Sequence, residues 1–224
     1  MIALIDADIV CYRIGFASQD VNEKLAIART AEFMEELVMK PYVGDYKGFL
    51  TGSNNYRKEV AKTAPYKGNR TADKPIHYNL IREYLATAWA CEVVEDQEAD
   101  DAIGIAAYAA EEESYIIMSI DKDLDMIQGW HYNFIKDNKY QVTEEEAIKN
   151  FYRQLLTGDK VDNIIGLRGI GPKKADKILA DCITELDMYN AVLEAYDNDT
   201  ERVLENGQLL WIRRKENQMW SPPQ

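Results

Sequence analysis

Short apolar runs that end in aspartate, alternating with stretches of helical periodicity, constrain the fold of this chain most strongly. Ile2–Ile5 is followed by Asp6, and the apolar run Tyr115–Ile120 by Asp121. Runs this short read as buried strands. Gly48–Thr51, ending at Gly52-Ser53, and Glu92–Val94 read as two more strands, with another near His131–Ile135. Between them, Asn22–Lys40 sets Leu25, Ala28, Phe33 and Leu37 at helical spacing and stops at Pro41. Pro75–Trp89 and the alanine-rich Ala99–Glu113 also read as helices, and from Glu144 the chain turns helical through a glycine motif and beyond. Such alternation predicts an α/β fold with a mostly parallel central sheet flanked by helices.

In a parallel sheet of this kind, sites form beyond the carboxyl ends of the strands. Asp6 and Asp121 end strands, Asp123 follows closely, and Glu98, Asp100 and Asp101 open the alanine-rich helix. Acids at a helix N-terminus are ordinary, worth about 0.3–1 kcal/mol through the helix dipole. The spacing Asp121-x-Asp123-x-Asp125 resembles the start of a calcium loop, but Met126 stands where that loop needs glycine. Asp8 reads as a solvated turn residue. Gathered at one sheet edge, the other acids would repel one another and raise their pKa values. Divalent cations remove that cost, and a pair about 3.5–4 Å apart can drive in-line displacement at phosphorus.

The segment 158–175 strengthens the phosphate reading. Asp159 and Asp162 are three residues apart and share a side if the turn is helical. Behind them, Gly169-Ile170-Gly171-Pro172 leads into Lys173 and Lys174. Glycines let the backbone approach a phosphate, and proline suits the first turn of the following helix.

A net charge of −13 argues against nucleic-acid binding for the chain as a whole. Read locally, the balance reverses twice. Residues 57–74 carry Arg57, Lys58, Lys62, Lys67, Arg70 and Lys74 against Glu59 and Asp73, and residues 168–177 carry Arg168, Lys173, Lys174 and Lys177 against Asp176. Binding through such islands should weaken at high salt. Cys11, Cys91 and Cys182 form no C-x-x-C pair and read as reduced thiols of a cytoplasmic protein. With only His77 and His131 available, a histidine–cysteine zinc site has little to work with, so carboxylates binding Mg²⁺ or Mn²⁺ are expected. No apolar run is long enough for a membrane span, and the first residues lack the pattern of a signal peptide.

Read in order, Ile5-Asp6, Tyr-Lys-Gly-Asn-Arg at 66–70, Glu-Ala-Asp-Asp at 98–101, Ser-Ile-Asp-Lys-Asp at 119–123, Gly-Asp-Lys-Val-Asp-Asn at 158–163 and Gly-Ile-Gly-Pro-Lys-Lys-Ala at 169–175 resemble the 5′-nuclease family of flap endonucleases and 5′–3′ exonucleases, especially its compact bacteriophage members. The resemblance implies a PIN/5′-nuclease-like core over residues 1–145, with a basic gateway or arch at about 53–74. It also implies a helical DNA-binding subdomain over 146–224, with a helix–three-turn–helix element at about 158–180. Asp6, Glu98, Asp100, Asp101, Asp121, Asp123, Asp159 and Asp162 match the metal-site acids. Lys67 and Arg70 match the basic pair at the entrance to the active site, and with Asp121 they are the expected catalytic residues. Arg57, Lys58, Lys67, Arg70, Gly169, Gly171, Lys173 and Lys174 are the expected DNA contacts. The implied cofactors are two Mg²⁺ or Mn²⁺ ions, with K⁺ at the glycine turn.

The implied activity is Mg²⁺-dependent hydrolysis near 5′ ends during replication or repair, on DNA flaps, nicks or free ends and on RNA–DNA hybrids in an RNase H-like mode. A replication polymerase is the implied partner. Where many family members place an aspartate after the second strand, this chain has Gly52-Ser53-Asn54. That substitution keeps a second reading open, a DNA-structure binder on the same fold that does not cleave. Residues beyond about 185 match no part of the family pattern, and 219–224 read as an extended end.

Overall fold

The structure, a computed structural model, describes residues 1–111 and 113–224. Its centre is β1 (Ile2–Asp6), flanked by β2 (Asp45–Thr51) and β4 (Tyr115–Met118). With β3 (Glu92–Val94), β5 (Gly129–Asn133) and β6 (Asn138–Val142) they form a six-stranded sheet in the order β3-β2-β1-β4-β5-β6. All neighbours are parallel except β6, which returns antiparallel on β5. The mostly parallel α/β sheet expected from the alternation is therefore present. Ile5 pairs with Gly48 and Met118, which brings the ends of the three central strands to one edge.

Side chains alternate across the strands, so each face builds its own core. Ala3, Ile5, Leu50, Ile116 and Met118 pack under α1 (Ala7–Ala17), α2 (Glu23–Val38) and α4 (Tyr78–Ala88). On the opposite face, Leu4, Phe49, Tyr115 and Ile117 join one apolar cluster with α5 (Ala99–Ala109), α6 (Glu144–Thr157), α8 (Glu185–Ala195) and α9 (Thr200–Leu210). Neither face is left open, as a parallel sheet requires.

The structure departs from the expected elements in three places. Helix α1 begins directly after β1, because Asp6 Oδ1 accepts the Ile9 amide at 3.2 Å and so caps the first turn. The helix expected over Ala99–Glu113 stops at Ala109, and Glu112 lies outside the described residues. Asp159 and Asp162 are not on a helical turn. Gly158 ends α6 with φ 68° and opens a small antiparallel hairpin of β7 (Gly158–Asp159) and β8 (Ile164–Ile165). A Cβ at Gly158 would stand 2.3 Å from both Ile164 O and Gly166 N, so the crossing demands glycine. After the glycine turn, α7 (Pro172–Ile178) starts with proline in its first turn, as the sequence predicts.

The basic stretch after β2 contains a single helical turn, α3 (Arg57–Val60), followed by irregular but docked backbone. The chain end is also docked rather than free. Trp220 is 4% exposed and meets the rings of Phe151 at 5.5 Å and Tyr189 at 6.3 Å. It lies across α9 so closely that a Cβ at Gly207 would be 2.1 Å from its ring. Trp220→Ala should therefore cost about 3–5 kcal/mol of folding free energy. Urea denaturation checks this, and a change under about 1 kcal/mol would mean that the tail does not pack as described. Among the described residues, no helix is long and apolar enough to cross a membrane.

Candidate active site

The carboxyl ends of β1 and β4, the N-terminus of α5 and the segment 65–70 enclose an open cleft of about 590 Å³. Asp6, Glu98, Asp100 and Asp121 line it, with Lys67 and Arg70 on the facing wall. Each acid arrives by a local rule. Asp6 is the cap of α1, and Ser119 Oγ donates to its Oδ2 at 2.8 Å. Asp121 sits just past β4, its amide donating to Ser119 Oγ at 3.0 Å and its Oδ1 accepting the Asp123 amide at 2.9 Å. Asp100 lies in the first turn of α5, and Thr51 Oγ1 accepts the neighbouring Ala99 amide at 2.9 Å.

Asp6 is buried and Asp100, Asp121 and Asp123 are half-buried, and among the described residues none of them is in an ion pair with a basic side chain. Burial first, then the Asp8 charge, pushes the Asp6 carboxyl up to about 7. Asp100 is raised well above its ordinary value by burial and by the charges of Asp6, Asp121 and Glu98. Burial also raises Asp121, with Asp162 and Asp159 adding to the effect. Asp123 is pushed to about 7 by burial and then by Asp121, although Gln154 Nε2 donates to its Oδ1 at 3.0 Å. Its carboxylate lies toward an adjoining hollow lined by Gln154 and Pro172. Such mutual repulsion is destabilising unless a cation is supplied.

The hairpin acids reach the cleft through the basic segment. Tyr66 places its hydroxyl 2.9 Å from Glu98 Oε2 and 2.7 Å from Asp162 Oδ2. Lys67 Nζ is bonded to Glu98 Oε1 and stands 3.5 Å from Asp162 Oδ2, while Arg70 Nη2 donates to Asp162 Oδ1 at 2.6 Å. Backbone contacts lock this arrangement. Lys67 has φ 54°, rare for a lysine, and its amide donates to Asp162 O at 2.9 Å. Asn69 Nδ2 donates to Lys160 O at 2.6 Å, and Asn163 Nδ2 to Pro65 O at 2.9 Å. Asp159 Oδ1 accepts the Val161 amide at 2.7 Å within the hairpin.

Two residues of the expected set are used otherwise. Asp101 is fully buried, and its carboxylate forms a two-pronged pair with Arg57, at 2.5 Å to Nη1 and 2.9 Å to Nη2. It also accepts the Glu98 and Arg213 amides at 3.1 and 3.0 Å. Burial opposes ionisation of Asp101, but the Arg57 guanidinium beside it holds its carboxyl below the usual carboxylate range. Asp101 therefore has no free oxygen for a metal, because one helical step from Asp100 turns it inward. Arg57 in turn is 3% exposed, with Nε donating to Leu209 O at 2.8 Å and Nη2 to Trp211 O at 2.7 Å, so it cannot touch DNA. Lys58, Lys173 and Lys174 are exposed, and Gly169 and Gly171 are open to an approaching ligand.

Residues that the sequence did not single out also face the cleft. Asp8 accepts the Thr51 amide at 2.9 Å and pairs with Arg82 at 3.3 Å, so it is no solvated turn residue. Its position two after a strand-end aspartate was the available signal. Glu95 also lines the cleft, its Oε2 accepting from Ser53 N and Ser53 Oγ at 3.1 Å each. An acid thus stands beside Gly52-Ser53, supplied by the loop after β3. Among the described residues, no three His, Cys, Asp or Glu side chains form a ready-made metal cage. Lys67, Arg70 and Tyr66 take up Glu98 and Asp162. Asp6, Asp100 and Asp121, hard oxygen donors left without a cation, fit a divalent ion of the Mg²⁺ or Mn²⁺ kind.

The mostly parallel sheet and its flanking helices match the 5′-nuclease fold of known structures. The T5 D15 protein, crystallised with metal ions, superimposes with a TM-score of 0.69 at 18% identity, covering 92% of this chain and 87% of that one. The catalytic core of Rad2 bound to a DNA substrate matches with a TM-score of 0.53 at 16% identity, over 80% of this chain and 61% of that one. In sequence, DNA polymerase I of Bacillus caldotenax is 29% identical over 207 residues, 80% of this chain. The chain spans about a quarter of that polymerase, 23% of its length. A 5′-3′ exonuclease of Buchnera aphidicola is 26% identical over 213 residues, covering 85% of this chain and 74% of that protein. No family model matches the chain.

Proposed function

We propose that this chain is a divalent-metal-dependent, structure-specific 5′ nuclease that hydrolyses DNA phosphodiesters near 5′ ends. The observation that carries the reading is the convergence of Asp6, Asp100 and Asp121 in one cleft that Lys67 and Arg70 also line. The 5′-3′ exonuclease and flap-endonuclease names of its relatives support it. Asp6, Asp100 and Asp121 hold the cation, with Asp123, Asp159 and Asp162 completing its surroundings. A divalent ion there supplies charge neutralisation at the phosphate and lowers the pKa of a water. Lys67 and Arg70 are 24% and 48% exposed in their side chains, and so can exchange their carboxylate partners for a phosphate. Their charge then stabilises the dianionic transition state.

Lys58 and the exposed glycine turn with Lys173 and Lys174 are the proposed duplex grip, within a helical unit over 146–224. Backbone contacts of this kind fix register without reading bases. K⁺ at the turn would take the place of Lys174 Nζ, which donates to Gly169 O at 2.8 Å. Mg²⁺ is the proposed physiological ion. A DNA polymerase, whose strand displacement creates 5′ flaps in the cytoplasm, is the proposed partner.

The test is cleavage of a 5′-labelled flap, a nicked duplex and an RNA–DNA hybrid, each with Mg²⁺ or with chelator. Mg²⁺-dependent short products from the flap are expected, and stepwise products from the nick would mark exonuclease action. Binding to all three with no product would replace the reading with that of a non-cleaving DNA-structure binder.

A further inference from the structure

The C-terminal helix α9, which the motif pattern leaves without a role, is tied by side chains to both halves of the cleft. Glu205 is 9% exposed and its carboxylate points at the gateway segment. Its Oε1 accepts the Lys62 amide at 2.8 Å and the Thr63 amide at 2.7 Å, and its Oε2 accepts Thr63 Oγ1 at 2.7 Å. Arg202, one turn earlier, donates to Glu205 Oε2 at 3.1 Å and reaches Thr63 Oγ1 as well. Its other arm donates to Ile165 O at 2.6 Å, where Asn206 Nδ2 also donates at 3.0 Å. One face of α9 therefore holds residues 62–63 and strand β8 of the acid-bearing hairpin at the same time.

The path from this clamp to the cleft is short and stiff. Thr63 and Lys67 are four positions apart, and Pro65 lies between them with its φ restricted. Pro65 O accepts the Gly68 amide at 2.9 Å and Asn163 Nδ2 at 2.9 Å. A shift at Thr63 is thus passed to Lys67 with little slack.

We propose that Glu205 is a positioning residue for cleavage: by accepting the Lys62 and Thr63 amides and holding Arg202, which itself donates to the Ile165 carbonyl of β8, it fixes where Lys67 stands relative to the acids. The inference rests on the nuclease reading and adds to it a residue far from the chemistry. Misplacement of a phosphate-stabilising group by about 1 Å can cost on the order of 10²-fold in rate.

The test is a double-mutant cycle on the flap substrate with Mg²⁺, comparing wild type, Glu205→Ala, Lys67→Ala and the pair. Glu205→Ala should lower kcat by about ten- to a hundredfold while KM stays within about twofold. Lys67→Ala should lower kcat about 10²-fold, and adding Glu205→Ala should slow it no further, because the group being positioned is gone. Glu205→Gln keeps an oxygen for both amides and should stay within about threefold of wild type. Thr63→Val, which removes one bond to the same carboxylate with little change of shape, should lower kcat in the wild-type background and not in Lys67→Ala; it carries the cycle should Glu205→Ala fail to fold. Losses that multiply in the pair, or a raised KM with unchanged kcat, overturn the positioning role. A wild-type chain that does not cleave sinks the nuclease reading itself, whereas wild-type cleavage with unaffected variants sinks only this inference.

Discussion

Asp121→Asn is expected to abolish cleavage while leaving DNA binding intact and the metal-free protein more stable. Asn keeps the shape and the Oδ1 that accepts the Asp123 amide at 2.9 Å, but removes the charge. That charge is one of those raising Asp6, Asp100 and Asp123. Loss of a central cation ligand should reduce the rate on the order of 10³-fold, the scale of losing a key electrostatic group in a dry site. With chelator present, relief of about 1 kcal/mol of repulsion should raise Tm by about 2–4 °C. Duplex affinity should hold or tighten, since one acid fewer faces the phosphates. Single-turnover cleavage, melting with chelator and a binding titration check the three parts. Retained cleavage would remove Asp121 from the site. A lowered Tm would mean that the acids are not in conflict.

Arg57→Ala should have the largest effect on stability of any single change at the cleft. It strands the fully buried Asp101 carboxylate and frees the carbonyls of Leu209 and Trp211, to which Arg57 donates at 2.8 and 2.7 Å. Breaking one side of a buried pair costs about 3–5 kcal/mol. Marginal proteins hold only about 5–15 kcal/mol in total. For a chain of this size the loss corresponds to roughly a 10 °C fall in Tm. Arg57→Met with Asp101→Asn should recover part of it, because the uncompensated charge is then absent. A Tm within about 2 °C of wild type for Arg57→Ala would show that the pair is not the tie between α5 and the chain end. In the nuclease assay, Arg57→Ala should lose activity only in step with folded protein, unlike Asp121→Asn.

The contrast between those two residues marks how far the sequence reads. Asp6 and Asp121 were legible because an acid closing an apolar run can only lie at the strand-end edge, whatever the details of packing. Lys67 and Arg70 were legible as a pair within a basic island. Glu98-Ala-Asp-Asp101 was legible only as a group. Helical geometry turns Asp100 into the cleft and Asp101 away from it, and the string itself does not say which face of α5 meets the core. Arg57 looked like its basic neighbours because nothing local distinguishes a buried cation. Its partners, Asp101, Leu209 and Trp211, are 44, 152 and 154 positions away.

The hairpin shows the same limit. A three-residue interval between Asp159 and Asp162 is compatible with a helical turn, and Gly158 alone redirects it. Asp8 reads in the sequence as a solvated turn residue, because its partner, Arg82, is 74 positions along the chain. The tail reads only as an extended end, because no periodicity marks a single tryptophan that will cross a helix at a glycine.

The alternation of apolar runs and helical periods by itself determined the layered sheet and the edge at which acids collect, and local composition determined where positive charge gathers. These follow from period and local charge, which neighbouring residues carry among themselves. Tertiary structure alone decided which acids stay unpaired in the cleft, which is spent on Arg57, and that α9 holds residues 62–63 in place. Those outcomes depend on burial and on contacts between distant segments, where one helical step or one close approach separates a site residue from a structural one.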